Sequence, residues 1–508
     1  MSPDVKEPAK PGAPGPGRLQ VFFWVGGAML LYAVFGGLQA ARVPLWLDEI
    51  GTYYMVRLPS LSRIWQALTV GVDQSLPLLF LLSRASVRLF GPGNLALRLP
   101  ALAGFWLCCL CLFWFVRRRV GFPYALCALL FPLLTGAYGY AYDARSYGIT
   151  LGCAGVALVS WQAAAEGRHR RLALAGIALG LGGALFSNFY AVLLAIPFAG
   201  AEAWRAYSWR RIDWPVWIAF AVSAVPMIVY PIILRAVGGW ALWPAGPGDF
   251  PAFYSQLLTP VLVFLVISAA VLLLWRTGPR DPCSFPEHEL LALALLALLP
   301  LPAIALSMAA HLPWFFRYGL PALIGVTGLF VVIAARGSRR AGWLLVTLLA
   351  SRYVLENRGI AQPIPGARTP VLQKAFNSGE EIVFPSLHDF VRLGVYERPE
   401  FLGKAYFLLN REAMVRGTKS DLLYQIALRW SKWFLLPGTT VPEDAFLARH
   451  PRFIVYGQAD DWLVQDLLRR GASLRLIDRE GAADMQRLLF QADTAEPRVE
   501  NTHSVAAN

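Results

Sequence analysis

The sequence predicts an α-helical polytopic membrane protein with a C-terminal α/β domain. Apolar runs long enough to cross a hydrocarbon layer of about 30 Å recur from residue 20 to residue 355. Basic residues gather in short clusters between these runs, and after Asn357 strand-like and helix-like segments alternate.

Each element follows from its composition. The first eighteen residues, "MSPDVKEPAKPGAPGPGR", are rich in Pro, Gly and Ala and cannot bury a core, so 1–18 is expected as a disordered cytoplasmic tail. The run from Val21 to Ala41 lacks a small-x-small cleavage site followed by polar sequence, so it is expected to stay as the first span. Arg clusters at 117–119, 168–171, 205–211, 276–280 and 336–340 are expected to be cytoplasmic. Between them lie pairs of apolar segments, roughly 123–140 and 147–165, 172–187 and 189–204, 214–236 and 257–275, and 290–309 and 318–335. With 95–116 and 342–355 the hydropathy and charge rules give about eleven spans. Leu76 to Gly91 is short, carries Arg84 and Arg88, and would reverse the parity if it crossed, so it reads as an interfacial helix on the outer surface.

This parity places 19–356 as the membrane domain, 357–495 as an outer α/β domain and 496–508 as a second tail. In the outer domain "EEIVF", "KAYFLL", "RFIVYG" and "SLRLID" read as strands. "SLHDFVRLGVY", "DLLYQIALRWSKWF" and "DDWLVQDLLRRG" read as helices, which together suggest a mainly parallel sheet without a phosphate loop.

Composition also excludes. The chain is 56% hydrophobic and 15% charged, and although its net charge is +14, Arg placed between apolar runs orients a membrane protein rather than binding nucleic acid. Five of the six Cys lie in apolar runs and Cys283 in a basic loop, so neither a disulfide framework nor a zinc spacing is expected. His311 beside Pro313 reads as an interfacial residue, not a metal ligand.

Charge on the outer side is sparse. It comprises Asp48 with Glu49 in "PLWLDEIGTYY", Asp73, Asp143 with Arg145 in "YAYDARSYG", and Arg317 with Tyr318. Taken singly, each reads first as a polar loop residue at the water interface, and Asp73 alone reads best as a helix cap. Together, set among bulky apolar neighbours beside spans, they form a candidate site. Trp46, Tyr53, Tyr54, Trp240, Trp243, Trp314 and Phe316 fall near outer span ends, mostly as an aromatic belt. The long connection Val237 to Leu258 has the Gly and Pro content of a lid.

The order of these elements resembles the membrane-embedded glycosyltransferases of the GT-C fold, especially relatives of the protein O-mannosyltransferases and the lipid A aminoarabinose transferase. A first span is followed by Asp48 and Glu49, then "DQSLPLLFLL" from Asp73, "NLALRLPAL" from Asn94, "DARSYG" from Asp143 and, late, "FFRYGLPAL" from Phe315. Relatives often carry His-Pro-Pro in the second motif, where Ser75, Leu76 and Pro77 stand here, which speaks against a metal site using that His.

The resemblance implies a sugar donor on a polyprenyl phosphate, an acceptor that is a glycan, lipid or protein, and a site facing the periplasm from a bacterial inner membrane. Transfer needs a base for the acceptor hydroxyl and cations for the leaving phosphate. Asp48 is assigned as base. Glu49 or Asp143 orients the acceptor or joins a cation site, and Arg145, Arg317 and Tyr318 bind the donor phosphate. Tyr53, Tyr147 and Asp73 are further substrate contacts. No cofactor is called for, and whether a divalent metal ion takes part is left open. The rival readings are a transporter or lipid flippase, for which inverted repeats and charge at span centres are wanting, and a different envelope-polysaccharide ligase or polymerase.

Overall fold

The computed structural model describes residues 17–236, 245–275, 279–281, 283–311, 314–361, 369–397, 402–481 and 486–494. Outside these lie residues 1–16 and 496–508 of the expected tails, residue 495 of the expected outer domain, 237–244 of the expected lid with Trp240 and Trp243, Arg276 of a basic cluster, and Pro313.

The chain is mostly helical. Helix α1 (Arg18–Arg42) takes the first apolar run, and the connection after it folds into α2 (Leu47–Val56), α3 (Leu61–Thr69) and α4 (Pro77–Phe90). There follow α5 (Asn94–Arg117), α6 (Phe122–Leu130), α7 (Tyr147–Ala165), α8 (Arg170–Ser187), α9 (Ala195–Trp209), α10 (Trp214–Ser223) and α11 (Tyr230–Leu234). Beyond residue 245 come α12 (Asp249–Leu258), α13 (Leu262–Leu274), α14 (Glu287–Ala297), α15 (Pro300–Ala309), α16 (Ala322–Ala334) and α17 (Arg339–Glu356).

Among the described residues six helical segments are long and apolar enough to cross a membrane, or seven if α14 and α15, bent by 45°, count as one. This is fewer than the count of about eleven that hydropathy and charge suggest. Every expected run is helical, but several are interrupted. The run after α6 tightens into a 3₁₀ turn at Phe131–Leu134 that includes Pro132, another 3₁₀ turn at Phe189–Leu194 precedes α9, and α16 has only 13 residues. Helix α17 carries Arg339, Arg340, Arg352 and Glu356. Helix α4, 14 residues long, rises about 21 Å and is too short to span. Its Arg84 is buried and donates to the carbonyls of Val56 (2.9 Å), Leu58 and Pro59 (3.0 Å), which closes the C-terminal end of α2.

Two helices form the axis of the site. Helices α5 and α7 pack backbone against backbone: a Cβ on Gly148 would meet the carbonyl of Ala101, and one on Gly104 the carbonyl of Gly148. Gly152 in turn faces the backbone of Gly104, the small-residue seam that lets helices approach closely in lipid. Consequently the loop entering α7 is pressed onto the N-terminal half of α5.

The C-terminal region holds a six-stranded sheet in the order β3-β2-β1-β4-β6-β5, with β1 (Ile382–Val383), β2 (Ala405–Leu409), β3 (Thr439–Pro442), β4 (Arg452–Gly457), β5 (Ser473–Glu480) and β6 (Arg487–Asp493). Strands β3, β2, β1 and β4 are parallel to one another, while β6 is antiparallel to both β4 and β5. Helices α18 (Pro370–Asn377), α19 (Leu387–Tyr396), α20 (Arg411–Thr418), α21 (Leu422–Trp433), α22 (Glu443–Leu447) and α23 (Trp462–Arg469) accompany it. Ile382, Val383, Phe407, Leu408, Phe453 and Val455 are fully buried, as strands covered on both faces must be. The apolar cluster of this region is continuous with Ile50, Met55, Leu68 and Leu76 of the α2–α4 connection, so the two parts share a core.

Candidate active site

The site is built at the start of α2. Trp46 precedes the helix in an extended conformation, and the Glu49 carboxylate at the third helical position reaches back to accept the Trp46 backbone N–H (3.2 Å). The same carboxylate accepts two bonds from Arg98 of α5, Nε to Oε1 at 2.6 Å and Nη2 to Oε2 at 2.5 Å, and a third from the Ala144 backbone N–H at 2.7 Å. Arg98 spends its remaining donors on the carbonyls of Ala40, Val43 and Pro44. Both side chains are 1% exposed. Glu49 thus ties α1, α2, α5 and the loop before α7 into one joint, its carboxylate buried and bonded to Arg98 and to the Trp46 and Ala144 backbone.

That joint places Asp48 beside two cations. Its carboxylate lies 3.4 Å from Arg317 Nη2 and keeps 25% exposure, while its backbone carbonyl accepts from Arg145 Nη1 at 3.2 Å. Arg145 Nη1 also donates to Asp73 at 3.1 Å. Asp73 is therefore not the cap of α4, whose N-cap position is Leu76. Instead it accepts the Ser75 backbone N–H with one oxygen (2.7 Å) and pairs with Arg145 through the other. Nor does Asp143 pair with Arg145; its carboxylate accepts the Trp46 indole N–H at 3.0 Å.

Burial sets the electrostatics. Desolvation pushes the Asp143 carboxyl up to about 7, the nearby Glu49 charge adds to this, and the Trp46 hydrogen bond and Arg145 oppose it. For Arg145, desolvation favours the neutral form, but Asp73 and Asp48 outweigh it and hold the guanidinium above its ordinary range. Arg317 behaves alike: desolvation is outweighed by the Tyr147 hydroxyl and Asp48. Both arginines stay charged.

Their donors are incompletely used. The Nε atoms of Arg145 and Arg317 are buried without a hydrogen-bond partner. Arg84, Arg352 and Arg392 have similar Nε atoms, so an orphaned donor alone is no signal. What sets this place apart is two such arginines flanking one partly exposed carboxylate. Beside them Tyr147, Thr150, Asn188, Tyr190, Arg317 and Tyr318 line a small recess. Tyr318 stacks on Tyr190 at 4.3 Å between centroids, and the Arg317 guanidinium sits over the rings of Phe315 (4.4 Å) and Trp46 (5.5 Å).

The expected residues therefore divide. Asp48, Asp73, Asp143, Arg145, Tyr147, Arg317 and Tyr318 come together, whereas Tyr53 turns toward Arg57, whose guanidinium lies 4.0 Å from its ring, and toward Tyr54. Sequence reasoning missed Arg98, although a lone Arg in the apolar "NLALRLPAL" was its signal, and gave Trp46 only a place in the belt. Among the described residues no group of three or more His, Cys, Asp or Glu side chains is gathered in a way that could hold a metal ion.

No protein-family model matches the chain, and no curated protein matches it. Among solved structures it is similar to ArnT from Cupriavidus metallidurans in the apo state, at 14% identity with a TM-score of 0.45, over 94% of this chain and 99% of that one. It is likewise similar to the same protein bound to undecaprenyl phosphate, at 13% identity and a TM-score of 0.45, over 94% and 98% of the two chains. At this identity and superposition the likeness is one of overall form, and no residue role or activity follows from it.

Proposed function

We propose that the chain is a glycosyltransferase of the GT-C type, moving a sugar from a polyprenyl-phosphate donor to an acceptor hydroxyl at the non-cytoplasmic face of a bacterial inner membrane. The reading takes 19–356 as the catalytic membrane domain and 357–495 as a periplasmic domain. One observation carries it: a partly exposed carboxylate, Asp48, set between Arg145 and Arg317, each with a buried and unspent guanidinium N–H.

In the proposed step the acceptor oxygen attacks the anomeric carbon of the sugar. Its proton passes to the Asp48 carboxylate, the bond from that carbon to the phosphate oxygen breaks, and the lipid phosphate leaves with the electron pair. Arg317 touches Asp48 at one point only, which leaves carboxylate surface for the acceptor. Arg145 and Arg317 supply fixed positive charge where the leaving group gains negative charge, and their planar forks suit a phosphate. Tyr318 and Tyr147, beside Arg317, add hydroxyl donors and apolar surface. Asp143, which burial inclines toward its protonated form, orients Trp46 over Arg317.

The test uses the full-length protein in lipid nanodiscs with a panel of undecaprenyl-phosphate-linked hexoses and pentoses, reading release of undecaprenyl phosphate. Release by the native protein and none by Asp48→Asn is expected. No release with any donor, together with undecaprenyl phosphate binding that is indifferent to Arg145→Ala and Arg317→Ala, overturns the reading.

A further inference from the structure

We propose that Trp430, on helix α21 of the C-terminal region, is a positioning residue for the site: it fixes the Gly71–Asp73 turn, through which Asp73 holds Arg145. The proposal rests on the reading of Arg145 as a phosphate-binding group.

The path is short. The Trp430 indole N–H donates to the Val72 carbonyl at 3.0 Å, and the neighbouring Arg429 donates through Nη1 to the Gly71 carbonyl at 2.7 Å. Gly71 sits at φ +73°, where L side chains are strained, so the turn has a defined shape that these two bonds read from outside. Asp73, directly after Val72, accepts from Arg145 at 3.1 Å, and Arg145 in turn bonds the Asp48 carbonyl.

The indole ring does a second job. It is 4% exposed and lies against Gly51 of α2, where an added Cβ would come within 2.8 Å of the ring and 3.4 Å of the Asp73 carboxylate. One ring thus touches the helix that carries Asp48 and the turn that carries Asp73. Phe434, four residues on, stacks on Tyr54 at 5.2 Å and keeps α21 against α2. The C-terminal region therefore completes the site without contributing a group to it.

The residues around Trp430 give this placement a consequence that burial alone would not have. Buried aromatic packing is felt as stability, whereas a donor aimed at one turn is felt by what that turn holds. Trp430→Phe keeps most of the ring and removes the N–H; Asp73→Asn keeps the turn and removes the charge that pairs with Arg145. Both act on one chain of contacts, so their effects should not add.

Two measurements on the full-length protein in nanodiscs test this. Hydrogen exchange without ligand should rise at 71–75 and at 143–147 in Trp430→Phe, with a melting temperature close to that of the native protein. Unchanged exchange at 143–147 overturns the proposal. Binding of undecaprenyl phosphate should weaken about fivefold in Trp430→Phe. The double variant with Asp73→Asn should bind no worse than Asp73→Asn alone, and additive losses likewise overturn the proposal. If exchange at 143–147 responds but binding is indifferent to Arg145→Ala itself, the phosphate reading fails while the positioning stands.

Discussion

Helices α5 and α7 each run between two groups of buried charge that behave in opposite ways. Arg98 and Arg117 bracket about 28 Å of α5 at 1.5 Å per residue. At the end near Arg98 lie Asp48, Arg145 and Arg317. At the other, Arg119 bonds Glu289 through Nε (2.8 Å) and Nη2 (2.5 Å) and Glu166 through Nη2 (2.6 Å), while Gln162 donates to Glu289 at 3.1 Å. Close by, Glu202 takes the Trp161 indole N–H at 2.9 Å and two bonds from Arg205, which reaches on to Asp213, itself bonded to Arg170.

In this second network the buried guanidinium and carboxylate atoms are all partnered, with only the Gln162 carbonyl oxygen left over. The first group keeps two guanidinium N–H donors unspent beside Asp48, whose carboxylate has one ion pair, whereas the equally exposed Glu166 of the second is paired with Arg118, Arg119 and Arg168. Both groups confine charge within a largely apolar chain, which costs free energy unless it is compensated. A closed network offsets that cost within the fold. An open one leaves it to be offset by something that binds, and so the difference separates scaffold from site better than burial or charge does.

Substitutions can break that contrast or sharpen it. The largest effect is expected for Asp48→Asn: loss of a general base should lower turnover by about 10²- to 10⁴-fold, read as undecaprenyl phosphate release, with normal membrane insertion. Retained turnover would remove Asp48 from the chemistry. Next, Arg145→Ala or Arg317→Ala should lower turnover by about 10²- to 10³-fold, and by more than acceptor binding weakens. Unchanged turnover in both would turn the open group into a second scaffold.

Glu289→Gln, at the closed end, should do the converse. Breaking a buried pair costs on the order of 3 kcal/mol, so the melting temperature should fall by several degrees while turnover per folded molecule holds. A turnover loss at full stability would erase the contrast.

A smaller, pH-dependent effect is expected at Asp143. Its folded carboxyl is raised to about 7 from an ordinary value of 3.8, so the native state holds a proton that the unfolded state releases. The stability this proton confers is full below about 4 and is lost as pH rises through about 7. Asp143→Asn lacks this loss, so its melting temperature relative to the native protein should climb by a few degrees between pH 4 and pH 7 and then level. A difference that does not vary with pH would mean Asp143 is ionised throughout. The smallest effect belongs to Tyr53→Phe, whose ring packs on Arg57 and Tyr54; turnover should stay within about twofold.

Much of this was legible in the sequence for reasons that are local. Apolar runs declare helices, and strands such as "RFIVYG" declare themselves by a continuous apolar stretch. Strand β3, "TTVP", and strand β6, "RLLFQAD", were not legible, because one is short with little buried surface and the other is half polar and takes its place only by pairing with β4. In the site, the ordered acids and arginines pointed to the right loops. Their partners did not show: that Arg145 holds Asp73 and that Asp143 holds Trp46 are facts of packing between segments 72 and 97 residues apart. Among the described residues, the helices that meet a length criterion for spanning are fewer than the runs hydropathy reads as whole, because proline and 3₁₀ turns interrupt several of them.

The glycine seam between α5 and α7 has one more implication. With only hydrogen atoms between Gly104, Gly148 and Gly152, the two rods have no compressible spacer, and neither can roll or slide without driving one carbonyl into another. Movement around Asp48 therefore falls to elements other than these two helices, while Asp143 and Arg145 remain where the seam anchors the loop between α6 and α7.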